Sequence, residues 1–143
     1  MISLKKVNLI VAIVASINTL TVASFPVNSQ SSRRTLQALP DGIYFYSNAR
    51  LPKQPGSEYI ILRKRGRSFI DYGYAYQSDS GCGAGTIRGN TLNTTREYVA
   101  LESDQVRNTN RPINLNEFQQ LASRHISGED REGLRFCINM MSR

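Results

Sequence analysis

Residues 57–76 read SEYIILRKRGRSFIDYGYAY and carry the strongest local structural signal in the chain. Two runs rich in β-branched and aromatic residues, 59–62 and 69–76, flank Arg65-Gly66-Arg67. This pattern predicts an antiparallel hairpin with Gly66 at its tight turn. Because side chains alternate between the two faces of a strand, the second run predicts one bulky face and one mostly small face. The bulky face would carry Ile70, Tyr72, Tyr74 and Tyr76, and the other face Phe69, Asp71, Gly73 and Ala75.

Turn and strand signals continue on both sides of this hairpin. Pro40-Asp41-Gly42 is a turn sequence before a predicted strand at 43–46, and a loop follows it. Downstream, Gly89-Asn90 predicts a turn between a pairing segment at 85–87 and a further strand at 98–101. Short sequential strands joined by tight turns favour an antiparallel β-meander over residues 40–102, including a curled, barrel-like form of it.

The hydrophobic period changes from strand-like to helical after Pro112. Asn114 and Glu117 match the capping box that begins many helices. Four apolar residues at helical spacing would share one side of this helix: Leu115, Phe118, Leu121 and Ala122. We therefore predict a helix that ends near Gly128.

The last part of the chain is ambiguous by pattern. Apolar residues in 129–141 fit helical spacing and strand alternation equally well. Ser127 and Asp130 resemble an N-terminal cap, which favours a helix. The predicted fold class is therefore α+β, a meander followed by one or two C-terminal helices.

Residues 1–24 match a signal peptide. A basic start with Lys5 and Lys6 precedes residues 7–23, of which 12 are apolar. We predict cleavage after Ser24, with an uncleaved anchor helix as the alternative. In either case the domain is predicted to be exported, to the periplasm or to the extracellular space.

The remainder of the chain is predicted to form one small domain. Residues 25–38 are polar with little periodicity and predict a flexible lead-in to a domain at 39–143. The 143 residues carry a formal net charge of +7, and without residues 1–29 there remain 16 basic and 11 acidic residues. About 35% of that remainder is apolar, so the core should be modest.

Cys82 and Cys137 are the two cysteines of the chain. An even count in an oxidising compartment predicts a disulfide, and two cysteines allow one pairing. The alternatives are a metal site, for which two thiols and His125 supply few ligands, and a reactive thiol, for which no partner base is evident. We therefore predict a structural disulfide and neither a metal nor a cofactor.

Three short motifs lie between residues 39 and 92. Residues 39–46 read LPDGIYFY and residues 56–62 read GSEYIIL. They are followed by Tyr76, Ser78, Cys82 and Gly85. The pattern resembles a group of small exported cyanobacterial proteins of uncharacterised function. The resemblance implies an exported β-rich domain and implies no catalytic residue.

Two surface features suggest a ligand. Four positive charges surround the hairpin turn and could bind acidic polysaccharide, a phosphate group or an anionic envelope surface: Arg63, Lys64, Arg65 and Arg67. The alternative is a solvated turn whose charges keep 59–62 from pairing with other chains, and we favour it because charge clusters are common on turns. Tyr72, Tyr74 and Tyr76 could form an aromatic platform for a sugar or peptide, although a small core favours packing of these rings.

Catalytic groups are scarce in this sequence. The chain has one histidine and no tryptophan, and no nucleic-acid-binding motif is evident. Four carboxylates could supply a pair for glycoside hydrolysis, which depends on their separation in space: Glu58, Asp71, Glu97 and Glu102. We predict a non-enzymatic exported binding or interaction module, with a structural envelope protein and a cell-wall glycan hydrolase as alternatives.

Overall fold

The computed structural model describes residues 34–100, 102 and 105–143. These residues form an α+β fold of seven antiparallel strands and one C-terminal α-helix. The elements are β1 (Gly42–Ser47), β2 (Glu58–Arg65), β3 (Ser68–Ala75), β4 (Ser80–Arg88), β5 (Thr91–Val99), β6 (Arg107–Asn114), β7 (Gln119–Leu121) and α1 (Gly128–Met141). The predicted signal peptide lies outside the described residues. No helix of the part described is long and apolar enough to cross a membrane.

The meander forms one sheet with the strand order β6-β5-β4-β3-β2-β1-β7. The hairpin predicted from residues 57–76 is confirmed as β2 and β3, with Tyr59 opposite Tyr74 and Arg65 opposite Ser68. Gly66 occupies the turn with a φ of 57°, a left-handed conformation that costs glycine little. The predicted alternation of faces along β3 is also confirmed, because Phe69 packs in one apolar cluster while Tyr72, Tyr74 and Tyr76 pack against another on the opposite face.

The sheet curls, so that one face becomes its inside. Neighbouring strands lie about 4.8 Å apart, so β6 and β7 would be separated by roughly 29 Å if the sheet were flat. Residues 115–118 join these two strands, and the five Cα steps from Asn114 to Gln119 span at most about 19 Å. Within the described residues β6 and β7 do not pair, so the sheet is curled without being closed. We call the concave side the inner face.

An apolar cluster fills the inner face from the end where β2 meets β3, which we call the closed end, as far as the pair Tyr46 and Ile60. It takes residues from five strands and from the segments before β1 and after β6: Leu36, Tyr46, Ile60, Leu62, Phe69, Ile87, Leu92 and Leu115. Leu36 lies in a short 3₁₀ helix, Leu36–Ala38, and its backbone N–H donates to Asn90 Oδ1 at 2.7 Å. The predicted boundary of the lead-in at residue 38 is therefore wrong, since Leu36 is 1% exposed and belongs to the core.

Helix α1 packs on the outer face of the sheet. Ser127 and Asp130 form a capping box at its start, so the helical interpretation of the C-terminal segment is confirmed. Leu134 packs with Tyr59 and Ile61 of β2 in the outer-face core. Beyond these apolar contacts, a covalent bond also holds the helix on the sheet.

That covalent bond is the predicted disulfide. Cys82 of β4 and Cys137 of α1 are bonded, with 5.3 Å between their Cα atoms. At the C-terminal end of the helix, Arg96 Nη1 donates to the carbonyl oxygen of Met141 at 2.9 Å. The last helical turn is thus attached to both β4 and β5.

The helix predicted after Asn114 is wrong. The Asn114 side chain does accept a hydrogen bond from the Asn116 backbone N–H, but it caps only a 3₁₀ turn at Leu115–Glu117. The chain then forms β7, in which Leu121 pairs with Phe45 of β1. Pairing with the free edge of β1 thus overrides the helical periodicity of this segment.

Strand β6 has no counterpart in the sequence prediction. Its sequence shows little alternation of apolar and polar residues, and its side chains are mostly exposed. It is an edge strand, paired among the described strands with β5 alone. Pro112 lies opposite Asn93, and proline is tolerated on an edge strand because it lacks the N–H that a central strand must donate. The proline marks the edge of the sheet rather than the start of a helix.

Candidate functional site

The inner face holds a cavity at the end of the sheet opposite the closed end, which we call the open end. The cavity has a volume of about 270 Å³ and lies where β2 and β4 begin and β3 and β5 end. Gly73 and Gly81 are cross-strand neighbours that line it without a side chain. A cavity of this kind in the mouth of a curled sheet is a common position for a small-ligand site.

One cross-strand row of side chains supplies the charges of the cavity. Asp71 of β3 and Glu97 of β5 both pair with Gly83 of β4, on its two sides. A Cβ atom added at Gly83 would lie 2.7 Å from Asp71 Oδ1, closer than two such atoms can approach. Glycine at this position therefore makes room for the Asp71 carboxyl group.

The Asp71 carboxyl group is buried, with the residue 5% exposed. Burial raises its pKa to about 6, against the opposing effects of the Arg111 charge and the Gly83 backbone N–H. Within the described residues no lysine, arginine or histidine nitrogen lies within 4.0 Å of this carboxyl group. Asp71 therefore faces the cavity without a direct ion-pair partner.

Glu97 has the opposite environment. Arg107 Nε donates to Glu97 Oε1 at 2.8 Å, and Arg111 Nε lies 3.5 Å from Glu97 Oε2. Arg107 also pairs with Glu102 at 2.6 Å, and its bonds to these two carboxylates raise its pKa. Both arginines extend from β6. The edge strand thus compensates the charge of Glu97, whereas the charge of Asp71 has no ion-pair partner among the described residues.

The remaining walls of the cavity are apolar on one side and acidic at the rim. Ile60, Ile113 and Phe118 supply the apolar surface. Glu58 and Asp79, both exposed to solvent, lie at the rim. The cavity could thus hold a small molecule that combines an apolar body with a group that donates hydrogen bonds or carries positive charge.

The four basic residues predicted to surround the hairpin turn do not form one patch. Arg65 and Arg67 are exposed at the turn, whereas Arg63 is half-buried. Lys64 points to the inner face, is 4% exposed and places Nζ 3.4 Å from Asp41 Oδ1. Two exposed arginines therefore remain at the turn, and Lys64 is part of the core. The reason is strand alternation, which puts adjacent residues on opposite faces.

The predicted tyrosine platform is a packing surface. Tyr72, Tyr74 and Tyr76 are half-buried against the outer-face core, and the rings of Tyr59 and Tyr74 stack with centroids 5.1 Å apart. Burial, together with the neighbouring Asp130 carboxylate, raises the pKa of Tyr74. These rings support α1, as the packing interpretation of the sequence predicts.

Of the four carboxylates proposed from the sequence, three line the cavity: Glu58, Asp71 and Glu97. Glu102 instead pairs with Arg107. The sequence reasoning missed Arg111 and the glycines that line or permit the cavity. Glycine at alternate positions 81, 83 and 85 of one strand was the available signal, because it leaves one face of that strand without side chains.

The chain has no match among protein-family models, curated proteins or solved structures. Among the described residues, no group of three histidine, cysteine, aspartate or glutamate side chains could hold a metal ion.

Proposed function

We propose that the protein is an exported, non-enzymatic binding module that holds a small ligand in the cavity at the open end of the sheet. The observation that carries the proposal is the Asp71 carboxyl group, which is buried over Gly83, faces a cavity of about 270 Å³ and has no ion-pair partner among the described residues. A buried polar group of this kind is costly to a fold, and folds retain such costs mainly at functional sites.

Export is supported by the signal-peptide pattern of residues 1–24 and by the disulfide. Disulfides persist in oxidising compartments, so the Cys82–Cys137 bond is consistent with a domain outside the cytoplasm. Intact-mass measurement of the protein from its native host tests the export step. A mature chain that begins close to residue 25 supports export through a cleaved signal peptide, and retention of Met1 contradicts the cleavage.

A cavity-filling substitution tests the binding site. Gly73→Leu would place a side chain in the cavity, and the atom nearest its Cβ, the Tyr59 carbonyl oxygen, is 3.8 Å away. The backbone can therefore accept the substitution without a clash at Cβ. Gly128→Leu at the start of α1, where no atom lies within 4 Å of the added Cβ, is the matched control.

The measurement is thermal unfolding with a panel of small sugars, amino acids, amines and carboxylates. A ligand that binds only the folded state raises the melting temperature. We expect at least one compound to stabilise the wild type and Gly128→Leu but not Gly73→Leu. If no compound stabilises the wild type, or if Gly73→Leu responds equally, the proposed site is wrong.

Glycan hydrolysis is the second candidate function, because Asp71 and Glu97 line the same cavity. A glycosidase needs one carboxylic acid and one carboxylate on either side of the scissile bond, and the raised pKa of Asp71 suits the acid. Release of reducing ends from cell-wall glycan by the wild type, and its loss in Asp71→Asn, would establish this function in place of simple binding.

A further inference from the structure

The charges around the cavity are unequally compensated. Glu97, Glu102, Arg107 and Arg111 form a connected set of two negative and two positive side chains. Asp71 lies next to this set, buried, with no cationic nitrogen within 4.0 Å in the described part of the chain. A buried carboxylate must be neutralised by a proton or by a cation, because its desolvation is otherwise too costly.

The rim of the cavity adds negative charge to that of Asp71. Four acidic residues line the cavity, namely Glu58, Asp71, Asp79 and Glu97. Arg107 and Arg111 compensate Glu97, so the excess negative charge comes from Glu58, Asp71 and Asp79. The complete chain, in contrast, has a formal net charge of +7. The local field at the open end is thus opposite in sign to the net charge, and a concave acidic site concentrates cations.

The apolar walls of the cavity and the side chains available as metal ligands indicate what kind of cation fits. Ile60, Ile113 and Phe118 offer apolar surface next to the carboxyl group, which suits a hydrocarbon body better than a hydrated metal ion. No three metal-ligating side chains come together among the described residues. The volume of about 270 Å³ limits the ligand to a small molecule.

We infer that the cavity binds a small organic ammonium ion, with the Asp71 carboxylate as its counter-charge and the apolar wall against its hydrocarbon part. The inference rests on the proposed function and adds the ligand class to it. The ammonium group would donate charge-assisted hydrogen bonds to Asp71, which are shorter and stronger than neutral ones.

Three probes of similar size and different charge test the inference. Butylammonium is the cation, butanol the neutral analogue and butyrate the anion, each titrated calorimetrically into the folded protein with its disulfide intact. We expect butylammonium to bind and the other two to bind at least about tenfold more weakly, because they lack the charge-assisted bond.

Two aspartate variants distinguish the effect of the buried Asp71 charge from the effect of negative charge at the exposed rim. Asp71→Asn removes the proposed counter-charge and keeps the side-chain shape, so it should weaken butylammonium binding by about tenfold or more. Asp79→Asn removes the same charge from the exposed rim and should weaken binding about twofold, since exposed charges are screened. Equal effects of the two variants would contradict the role of Asp71.

The outcomes also separate this inference from the proposed function. If butanol or butyrate binds as well as butylammonium, and Gly73→Leu abolishes that binding, the cavity is a ligand site and the inference about charge is wrong. If none of the three probes binds and the wider compound panel also fails, both are wrong. If Gly73→Leu still binds butylammonium, the binding site lies outside the cavity and the inference is wrong.

The pH dependence provides a further readout. The charged groups that line the cavity with Asp71 are Glu58, Asp79, Glu97 and Arg111. Burial raises the pKa of Asp71 to about 6, so its carboxylate form increases as the pH rises through this value. Butylammonium keeps its charge over this range, so its binding should strengthen from about pH 5 to about pH 7 in the wild type and change little in Asp71→Asn.

Discussion

Gly133 of α1 lies directly against the ring of Tyr72 on β3. A Cβ atom added at Gly133 would stand 2.6 Å from a ring carbon of Tyr72, well inside van der Waals contact. The helix approaches the sheet this closely because the glycine has no side chain. The contact sets the position of α1 on the outer face and, with it, the position of Cys137 next to Cys82.

Substituting Gly133 by alanine should destabilise the fold. Alanine favours a helix over glycine by about 1 kcal/mol, but here the methyl group would overlap the Tyr72 ring and force the helix or the ring to move. We expect a net loss of about 1–3 kcal/mol in the free energy of unfolding, measured with urea. Gly128→Ala, on the same helix with open space around it, should be neutral or stabilising; equal effects of the two would contradict the close contact.

Substituting Asp71 by asparagine should stabilise the protein at neutral pH. The pKa of Asp71 rises from 3.8 to about 6 on folding, so its contribution to stability is complete below about pH 4 and is lost as the pH rises through 6. Asparagine stays uncharged, so the variant should exceed the wild type by up to about 3 kcal/mol at neutral pH. Urea unfolding should show this difference vanish at about pH 4, and a constant difference would contradict it.

Reduction of the Cys82–Cys137 bond should lower the stability substantially. The bond closes a sequence separation of 55 residues, so the chain-entropy model assigns it about 4 kcal/mol. The Cys82→Ala, Cys137→Ala double variant should unfold at a lower urea concentration than the oxidised wild type and should not respond to reductant. A wild type that melts identically with and without reductant would show that the bond is absent in solution.

The basic residues of the hairpin should differ sharply in their effect on stability. Lys64→Ala removes a side chain buried on the inner face and should cost about 1–3 kcal/mol. Arg65→Ser with Arg67→Ser alters exposed turn residues and should stay within about 0.5 kcal/mol. Urea unfolding of both variants provides the comparison, and a similar loss in each would be inconsistent with the burial of Lys64.

The same double variant tests the role of the turn. If the only role of Arg65 and Arg67 is to keep β2 from pairing with other chains, the variant should aggregate more during refolding, measured by turbidity. It should also keep any binding to anionic vesicles. If they bind an anionic surface, co-sedimentation with those vesicles should fall in the variant, and salt should weaken it in the wild type. We expect the first result, because Lys64 does not contribute to the exposed charge.

Local features of the fold were predictable from the sequence. The hairpin at residues 57–76, the face alternation of β3 and the cap of α1 depend on residues close to each other in the chain, so short-range patterns are sufficient. The Cys82–Cys137 bond was predictable for another reason, since two cysteines allow one pairing. Within the site, the sequence placed Asp71 on the same face of β3 as Gly73, and this was correct.

The remaining features depended on which strands become neighbours. The segment after Asn114 has the periodicity of a helix, but β1 offered a free edge and the segment paired with it. Asp71 and Glu97 lie on either side of Gly83 because of the register of three strands. Arg111 reaches Glu97 from an edge strand that has no recognisable sequence pattern. The sequence by itself determined which residues turn, alternate and cap, because those preferences are local. Only the tertiary structure decided that a carboxyl group is buried without an ion-pair partner in the described part of the chain, because burial and charge compensation are properties of packed neighbours rather than of sequence neighbours.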